Sequence, residues 1–574
     1  MNRREFLQMM VAAYLVGFSD KSSSKNLIDY NIPFTSDLRL LHITDTHAQL
    51  APTYFREPNI NLGTGKNRNV PPHIVGDKFL KYYSLDGDFN EYVYSYMRFN
   101  ELAERFGKFG GYAHLKTIID KLRGEANGNS LLLDGGDTWQ GSAISLFESG
   151  MDMVEASNIL GVDVMTGHWE FTFGESQFKK NLKKFNGEFV ANNVFLNDEA
   201  IFNDVPSYDD ENHFQKPYTI REIKGNRIAI IGQAFPYTPI ANPSRYVSNL
   251  TFGIREQELQ DTINKIKAKY KASLIVVLSH NGIDVDKKLA SRVSGIDIIL
   301  GGHTHDAVPR PIIIKNNSRK TLVLNSGCNG KFLSMIDITF SGKSYRYSYK
   351  LLPILSNSIN PDIKMQSYID KISKPYKHLL SEIVGYADDT LFRRSNFNGT
   401  FDDLLCDSMN SVLNTEISLS PGFRWGPSII PNQPITMSDI YSHTAITYPN
   451  TYTRSMTGET IKNILEDVAD NIFNTDPYLQ QGGDMVRTRG IKYSINPRNV
   501  MNNRIENLRL NNNIEIKPNL KYKVSGWASV NNIEEGKPIW DITKEYLKSI
   551  GTYNVDNNEK VKITNEDSNI GIET

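Results

Sequence analysis

Long hydrophobic runs are missing from this chain of 574 residues. The mildly apolar stretch 9–18 is too short to span a bilayer as a finished helix, and no other segment reads as transmembrane. Cysteine is almost absent. Cys328 and Cys406 are too few for a disulfide framework or a thiolate metal site. They leave room for one disulfide, but two separate buried thiols are the expectation. Excess charge of either sign is missing too, with 64 Lys and Arg against 65 Asp and Glu and a formal net charge of -1. That balance gives no general pull towards nucleic acid or an acidic membrane. Hydrophobic residues at 39% and charged residues at 22% fit a soluble globular protein, and 574 residues exceed one ordinary core, so two domains are expected.

What is present is a recurrence of short apolar runs at 38–43, 130–133, 273–278 and 296–300, each followed by polar or glycine turns. Their length and their Leu and β-branched content describe buried strands. Between them Tyr112, Leu115, Ile118, Ile119 and Leu122 recur at helix spacing, and 257–270 reads as an amphipathic helix. Alternating strands and helices predict a layered α/β domain over 35–352, with ligand groups at the carboxyl ends of strands. It carries a Tyr-, Asn- and Pro-rich insertion at 51–108, either a functional excursion or a surface elaboration. The stretch 353–381 reads as a linker with room for a helix. A second, smaller α/β domain follows at 382–563, with a helix at 458–473 and strands at 521–527 and 561–563; the tail 564–574 is expected to be disordered. At the front, Arg3-Arg4-Glu5-Phe6-Leu7 ahead of the apolar stretch resembles a twin-arginine export signal. It is assigned to 1–30 and predicts a periplasmic protein.

Aspartates and histidines follow these runs: Asp45 and His47, Asp137 in Asp134-Gly135-Gly136-Asp137, His280 in Ser279-His280-Asn281, and His303 and His305 in Gly301-Gly302-His303-Thr304-His305; His168, in Gly167-His168-Trp169-Glu170, sits at a glycine turn of the same kind. One such histidine is usually a hydrogen-bonded structural residue. The whole set is how a two-metal hydrolase collects its ligands. Carboxylate and imidazole suit manganese, zinc or iron without choosing among them. A carboxylate such as Asp137 can bridge two ions roughly 3.5–4 Å apart. His42, His114 and His443 read as core or surface residues.

The order Asp-x-His, Gly-Gly-Asp, Gly-x-x-Glu-Phe, His-Asn-Gly, Gly-His-x-His resembles the periplasmic 5′-nucleotidase family of metallophosphoesterases over nearly the whole mature chain. Asp439-Ile440-Tyr441 and Thr457-Gly458-Glu459 match the second domain of that family. The resemblance implies a four-layer α/β/β/α metallophosphatase-type sandwich with a dinuclear metal centre, followed by a 5′-nucleotidase C-terminal-like domain that recognises substrate. One motif departs. Typical members read Gly-Asn-His-Glu-Phe-Asp, with Asn a ligand and His and Asp a catalytic pair; here the run is Gly167-His168-Trp169-Glu170-Phe171-Thr172. By position His168 takes the ligand place, while Trp169 and Thr172 replace the pair that assists phosphate-ester cleavage.

That combination is similar to the SoxB-type thiosulfohydrolases of bacterial sulfur oxidation. Thr44-Asp45-Thr46-His47-Ala48-Gln49-Leu50, Gly135-Gly136-Asp137-Thr138-Trp139-Gln140-Gly141, 326–332 and 480–487 agree in order. The resemblance implies two manganese ions, with zinc and iron left open, held by Asp45, His47, Asp137, His168, His280, His303 and His305. It implies as partner a Sox carrier protein (SoxYZ) bearing a sulfonate-capped cysteine on a flexible arm, and sulfate as product. Water activated at the metal pair would attack the terminal sulfonate sulfur. A thiol of pKa about 8.5 leaves far more readily than an alkoxide-like group derived from species near 15.7, so loss of the His/Asp pair costs little. The sulfonate also carries less charge than a phosphate monoester.

Asp137, Trp169 and Arg424 are the catalytic candidates. Arg424, in Pro421-Gly422-Phe423-Arg424-Trp425-Gly426, stands where nucleotidases place a phosphate-binding arginine, and its planar fork suits paired oxygens. Asn192 and Asn193 lie where the family has a strand-end Asn near the metals and serve either the substrate or a structural turn; Gly483 and Asp484 complete the substrate candidates. The enzymatic rival is a 5′-nucleotidase or related periplasmic phosphoesterase, for which Phe423 and Trp425 would stack on a base. A non-catalytic carrier-binding component is the reading from another class.

Overall fold

The computed structural model describes residues 28–572 apart from 317–318, 343, 532–535 and 557–559. Most of the export segment assigned to 1–30 therefore lies outside the described residues. Tyr30 already belongs to the folded domain: it is buried, and its hydroxyl donates to the Pro353 carbonyl at 2.6 Å.

Leu38–Ile43, wholly apolar but for Arg39 and His42, is buried on both faces because parallel Ser130–Asp134 and antiparallel Phe332–Ser341 flank it. It lies inside a six-stranded sheet ordered Ser344–Pro353, Phe332–Ser341, Leu38–Ile43, Ser130–Asp134, Val164–Met165, Glu188–Phe189. A second six-stranded sheet runs Ile312–Asn316, Arg319–Asn325, Ile298–Gly301, Leu274–Ser279, Asn226–Gln233, Tyr218–Ile223. Period-two alternation then builds the layers. Leu38, Leu40, Leu131 and Leu133 meet Val276, Leu278, Ile298 and Leu300 between the sheets. The intervening residues Leu41, Ile43 and Leu132 pack outward in one core with residues of helices Tyr112–Glu125 and Met151–Leu160, and Ile275, Val277 and Ile299 with those of Glu256–Tyr270 and Ile283–Arg292. The first domain is the four-layer α/β/β/α sandwich. Among its strands, Leu38–Ile43, Ser130–Asp134 and Val164–Met165 run parallel, as do Asn226–Gln233, Leu274–Ser279 and Ile298–Gly301, so their carboxyl ends open along one edge.

The second α/β unit is built on a four-stranded sheet ordered Thr451–Thr457, Lys521–Trp527, Ile417–Gly422, Asp484–Arg489. Helix Gly458–Phe473 covers it through Ile461, Leu465, Ala469 and Phe473, one stripe at four-residue spacing, and starts where the Thr457 hydroxyl accepts the Thr460 amide. The domains meet through side chains: Gln140 Nε2 donates to the Ala445 carbonyl at 2.7 Å, and Thr172 and Thr447 hydroxyls pair at 2.9 Å.

The tail and the linker differ from expectation, and the insertion packs as a surface elaboration would. The tail is ordered to residue 572: Ile572 pairs with Ile60, while Glu566 is bound by Arg68 and Arg498. The polar tail gains its order from these long-range contacts. Within 353–381, helix Ile363–Ser373 is capped by Asp362 and buries Met365 and Ile369 in the first domain's core, so this part of the linker belongs to the domain. The insertion forms helices Gly76–Tyr83, Asp88–Tyr94 and Phe99–Phe106 around its own aromatic cluster, with Tyr94 stacked on Phe332 at 5.5 Å. It also reaches the second domain, where Tyr54 bridges Ser428. Cys328 and Cys406 are separate, buried free thiols.

Candidate active site

Every one of the seven ligand candidates follows a strand at that open edge: Asp45 and His47 after Leu38–Ile43, Asp137 after Ser130–Asp134, His168 after Val164–Met165, His280 after Leu274–Ser279, and His303 and His305 after Ile298–Gly301. Strand ends are rigid, but the chain must turn sharply to aim these side chains inward. Asp45, His47, Asp137, His303 and His305 accordingly adopt left-handed φ values of 52°, 45°, 56°, 72° and 59°. Such conformations cost energy for non-glycine residues and cluster where function requires them. Gly136, at φ 96°, sits so close to Gly167 that a Cβ would lie 2.9 Å from its Cα.

The turns bring all seven together as two groups that share one carboxylate: Asp137, His168, His280 and His303, and Asp45, His47, Asp137 and His305. His168 Nδ1 lies 3.3 Å from Asp137, His280 Nε2 3.1 Å from Asp137 and 3.6 Å from Asp45, and His305 Nε2 3.2 Å from Asp45 and 3.1 Å from His47 Nε2. Ligands at about 2.0–2.2 Å from a common ion are spaced in this way. His280 Nδ1 faces the Gly135 carbonyl at 2.7 Å, which requires Nδ1–H as the donor and leaves Nε2 as a free lone pair facing the carboxylates. That buried Nε2 has no hydrogen-bond partner, so the residues fit a cation.

Electrostatics agrees. Against a burial that favours the protonated acid, His280 and His168 hold the Asp137 carboxyl well below the carboxylate range. Burial pushes His47 down to about 4 and lowers His168 and His303, keeping these imidazoles neutral as ligands must be. For His280 the Asp137 and Asp45 charges outweigh burial and push it up to about 10, so Nε2 carries a proton unless a cation takes that proton's place. Two carboxylates converging there demand a positive charge.

The sequence motif contained Glu170 but not its role. It is fully buried, and its carboxylate accepts backbone N–H groups from Thr138 (2.7 Å), His168 (2.8 Å), Trp139 (3.2 Å) and Asp137 (3.3 Å). One side chain therefore locks two ligand loops together. The Trp169 amide adds a bond to Asp137 Oδ1 at 2.8 Å, and the His303 amide contacts both oxygens of Asp45 at 3.0 Å.

Over the cluster opens a cavity of about 270 Å³ between the domains, lined by His47, Asp137, His168, His303 and His305 on one side and by Phe423, Arg424, Trp425, Gly483 and Asp484 on the other. Trp169 stands in its wall, edge-on to Trp425 (5.3 Å) and Phe423 (5.7 Å). Trp425 stacks on His47 at 5.6 Å, and Phe423 stacks on Trp425 at 4.1 Å. Arg424 donates from Nη2 to the Gly483 carbonyl (2.6 Å) and contacts Asp484 from Nε (3.4 Å), while its buried Nη1 has no protein partner. Asp484 lies at the wall, but its oxygens face Arg424, Arg487 and Asn396, so it orients arginine.

For Asn192 and Asn193 the contacts favour the structural role over the substrate role. Neither lines the cavity. Asn193 is saturated by the Ala234 and Gly253 carbonyls and the Ala234 amide, and Asn192 accepts from the Thr262 hydroxyl, so both serve as scaffold. Sequence reasoning also passed over Phe235, which stacks on His303 at 4.0 Å, and the buried Arg393, Arg394 and Arg487. Phe235 follows strand Asn226–Gln233, one more strand end at the same edge, and that position was a usable signal.

Comparison with known proteins agrees with this geometry. Residues 38–307 match the calcineurin-like phosphoesterase family and 383–536 the 5′-nucleotidase C-terminal domain. The sulfate thiohydrolase SoxB of Thermus thermophilus, solved with glycerol, superposes with a TM-score of 0.86 at 31% identity, over 93% of this chain and 98% of that one. A 5′-nucleotidase precursor, also from Thermus thermophilus, shares the fold, with a TM-score of 0.72 and 21% identity over 92% and 99% of the two chains. Bovine 5′-nucleotidase is 28% identical over 52% of this chain and 54% of its own length; the trifunctional nucleotide phosphoesterase YfkN of Bacillus subtilis is 25% identical over 69% of this chain and 29% of its own. The matches thus span about half or less of these curated relatives. The two domains and the carboxylate–histidine cluster between them define a metal-dependent hydrolase of metallophosphoesterase type. Within that class the chain belongs to the 5′-nucleotidase family, in its SoxB-type branch.

Proposed function

We propose that the chain is a thiosulfohydrolase that releases sulfate from a cysteine S-thiosulfonate carried on the flexible arm of a Sox carrier protein (SoxYZ). The observation that carries the reading is the pairing of a complete seven-residue cluster with Trp169 and Thr172 where a phosphoesterase keeps its His/Asp pair. A relative's description as a sulfate thiohydrolase supports it. Asp45, His47, Asp137, His168, His280, His303 and His305 would hold two ions; manganese is our assignment, and the same donors are compatible with zinc and iron. Such ions supply Lewis acidity and an activated water.

The chain's own groups do the rest. Arg424 presents its unpartnered Nη1 to the sulfonate oxygens. In the reaction the water oxygen bonds to the sulfonate sulfur, the bond from that sulfur to its divalent neighbour breaks, the electron pair leaves on the divalent sulfur, and the water's two protons pass to solvent, leaving sulfate. A leaving thiolate-like sulfur needs no acid, and Trp169 gives an apolar wall where the acid would stand. Phe423 and Trp425 lie face to face at 4.1 Å. A base held between two rings would need them roughly twice a stacking distance apart, which argues against the 5′-nucleotidase alternative that the curated relatives' names favour. Among the described residues no helix is long and apolar enough to cross a membrane; periplasmic location through the twin-arginine route remains part of the proposal.

The test presents metal-loaded protein with a carrier peptide bearing cysteine S-thiosulfonate and, separately, with AMP, following sulfate and phosphate. Manganese-dependent sulfate without phosphate is expected. Phosphate without sulfate would return the chain to the nucleotidases, and neither product from protein holding two metals would favour a non-catalytic carrier-binding role.

A further inference from the structure

A second cavity, of about 50 Å³, lies beside the first. The two share Arg424, His303, Asn471 and the Gly482–Gly483 turn, so these residues stand between them and the two glycines are the thinnest part of that partition. Both have left-handed φ, 79° and 81°, and a Cβ on Gly482 would lie 2.0 Å from His303 Nε2. The partition is as thin as backbone allows.

The far cavity is lined by Arg394, Arg424, Asn396, Asn281, His73 and Asp306 among others. Arg394 is only 3% exposed; its Nη2 is bound to the Thr304 carbonyl and Asp306, but its Nε and Nη1 have no hydrogen-bond partner. Arg424 Nη1 is likewise unpartnered. Acidic neighbours offset part of this charge without filling these donors: Asp484 stands 3.8 Å from Arg394 Nη1 and 3.4 Å from Arg424 Nε, but it is shared with Arg487 and Asn396, and Arg394 Nε and both Nη1 groups keep no hydrogen bond. Asp306 is committed to Arg394 and to Asn61 Nδ2 at 3.0 Å, and Asp284 to His73 at 2.8 Å and Lys287 at 3.1 Å. Buried donors left without partners cost energy unless a ligand or water satisfies them, and guanidinium edges select tetrahedral oxyanions.

We propose that this cavity is an oxyanion site through which product sulfate is drawn off, passing from Arg424 to Arg394 behind the glycine partition. The inference rests on the thiosulfohydrolase reading for the identity of the anion. A substrate tethered to a carrier arm fills the front cavity, so a product leaving by a rear site need not wait for the arm to withdraw.

Selenate soaked into crystals of the metal-loaded protein tests the site directly through its anomalous signal. Selenate between Arg394 and Arg424 is expected; selenate confined to the metal cluster, or bound nowhere, overturns the proposal. In solution, sulfate should inhibit noncompetitively against the carrier substrate. Arg394→Gln should raise the sulfate inhibition constant on the order of tenfold while Arg394→Lys retains most of the inhibition. Purely competitive inhibition, unchanged in Arg394→Gln, overturns it. Should Arg394→Gln fail to fold, the selenate position decides. Failure of the parent reading looks different: no sulfate is released from the carrier, whatever the selenate map contains.

Discussion

Glu170→Gln isolates what the buried carboxylate contributes, because it exchanges a single oxygen for nitrogen at nearly constant volume. The Oε1 side accepts Thr138 and Trp139 amides and the Oε2 side those of His168 and Asp137. Glutamine keeps one oxygen, and its NH2 must then face two N–H donors. Two charge-assisted bonds are lost, roughly 3–6 kcal/mol at about 1.5–3 kcal/mol each. Part is recovered, since burial and then the nearby Asp137 charge already disfavour the ionised acid. A net loss of about 2–4 kcal/mol is expected in urea unfolding of the metal-free protein. The metal-loaded variant should also hold fewer than two ions per chain by inductively coupled plasma mass spectrometry, since Asp137 and His168 sit on the two loops that Glu170 ties. Stability within about 0.5 kcal/mol of the parent, with both ions retained, would refute the locking argument.

Asp137→Asn should empty both metal positions together in a metal titration, as the shared carboxylate belongs to both groups, whereas His305→Ala should spare the group of His168, His280 and His303. Trp169→His combined with Thr172→Asp should introduce phosphate release from AMP and reduce sulfate release; a variant with two ions but no change in either product would remove the leaving-group argument. Acid sensitivity has a local source at Glu188. Burial alone would raise its pKa, but Lys216 at 2.5 Å and Arg221 at 2.7 Å hold it at about 2. Its folded pKa is thus depressed, so its stabilisation is present above about pH 4.5 and is lost as pH falls towards 2; Glu188→Gln should flatten that limb of a stability–pH curve.

What could be read from sequence followed from local signals. Leu38–Ile43, Gly458–Phe473 and Lys521–Trp527 are found at their expected bounds because periodicity and caps are properties of a few adjacent residues. The clustered ligand candidates were legible for a related reason, as all of them but His168 follow one of the four apolar runs. The left-handed turns that aim Asp45 or His303 are set by the packing of neighbouring loops and leave no mark on the sequence. The tail failed as an expectation because its order depends on Ile60, Arg68 and Arg498, all distant in the chain. Asn192 and Asn193 stayed undecided in the sequence for a related reason: an Asn at a strand end can face the site or its own scaffold, and for Asn193 the Ala234 and Gly253 backbone decides.

On the proposed reading the exchange at position 169 is tolerable because metal holding and proton handling would use different atoms of one turn. The 3-10 turn Trp169–Phe173 fastens Asp137 through the Trp169 backbone amide, and the Glu170 carboxylate fastens the Asp137 amide. Neither bond involves the residue-169 side chain. That side chain can therefore change from imidazole to indole without loosening the shared carboxylate, and the indole gains a place against Trp425 and Phe423. The same reasoning sets its limit. Proline at 169 would remove the amide to Asp137, so Trp169→Pro should lose metal while Trp169→His keeps it; equal retention by both would mean that the backbone bond does not position the bridge.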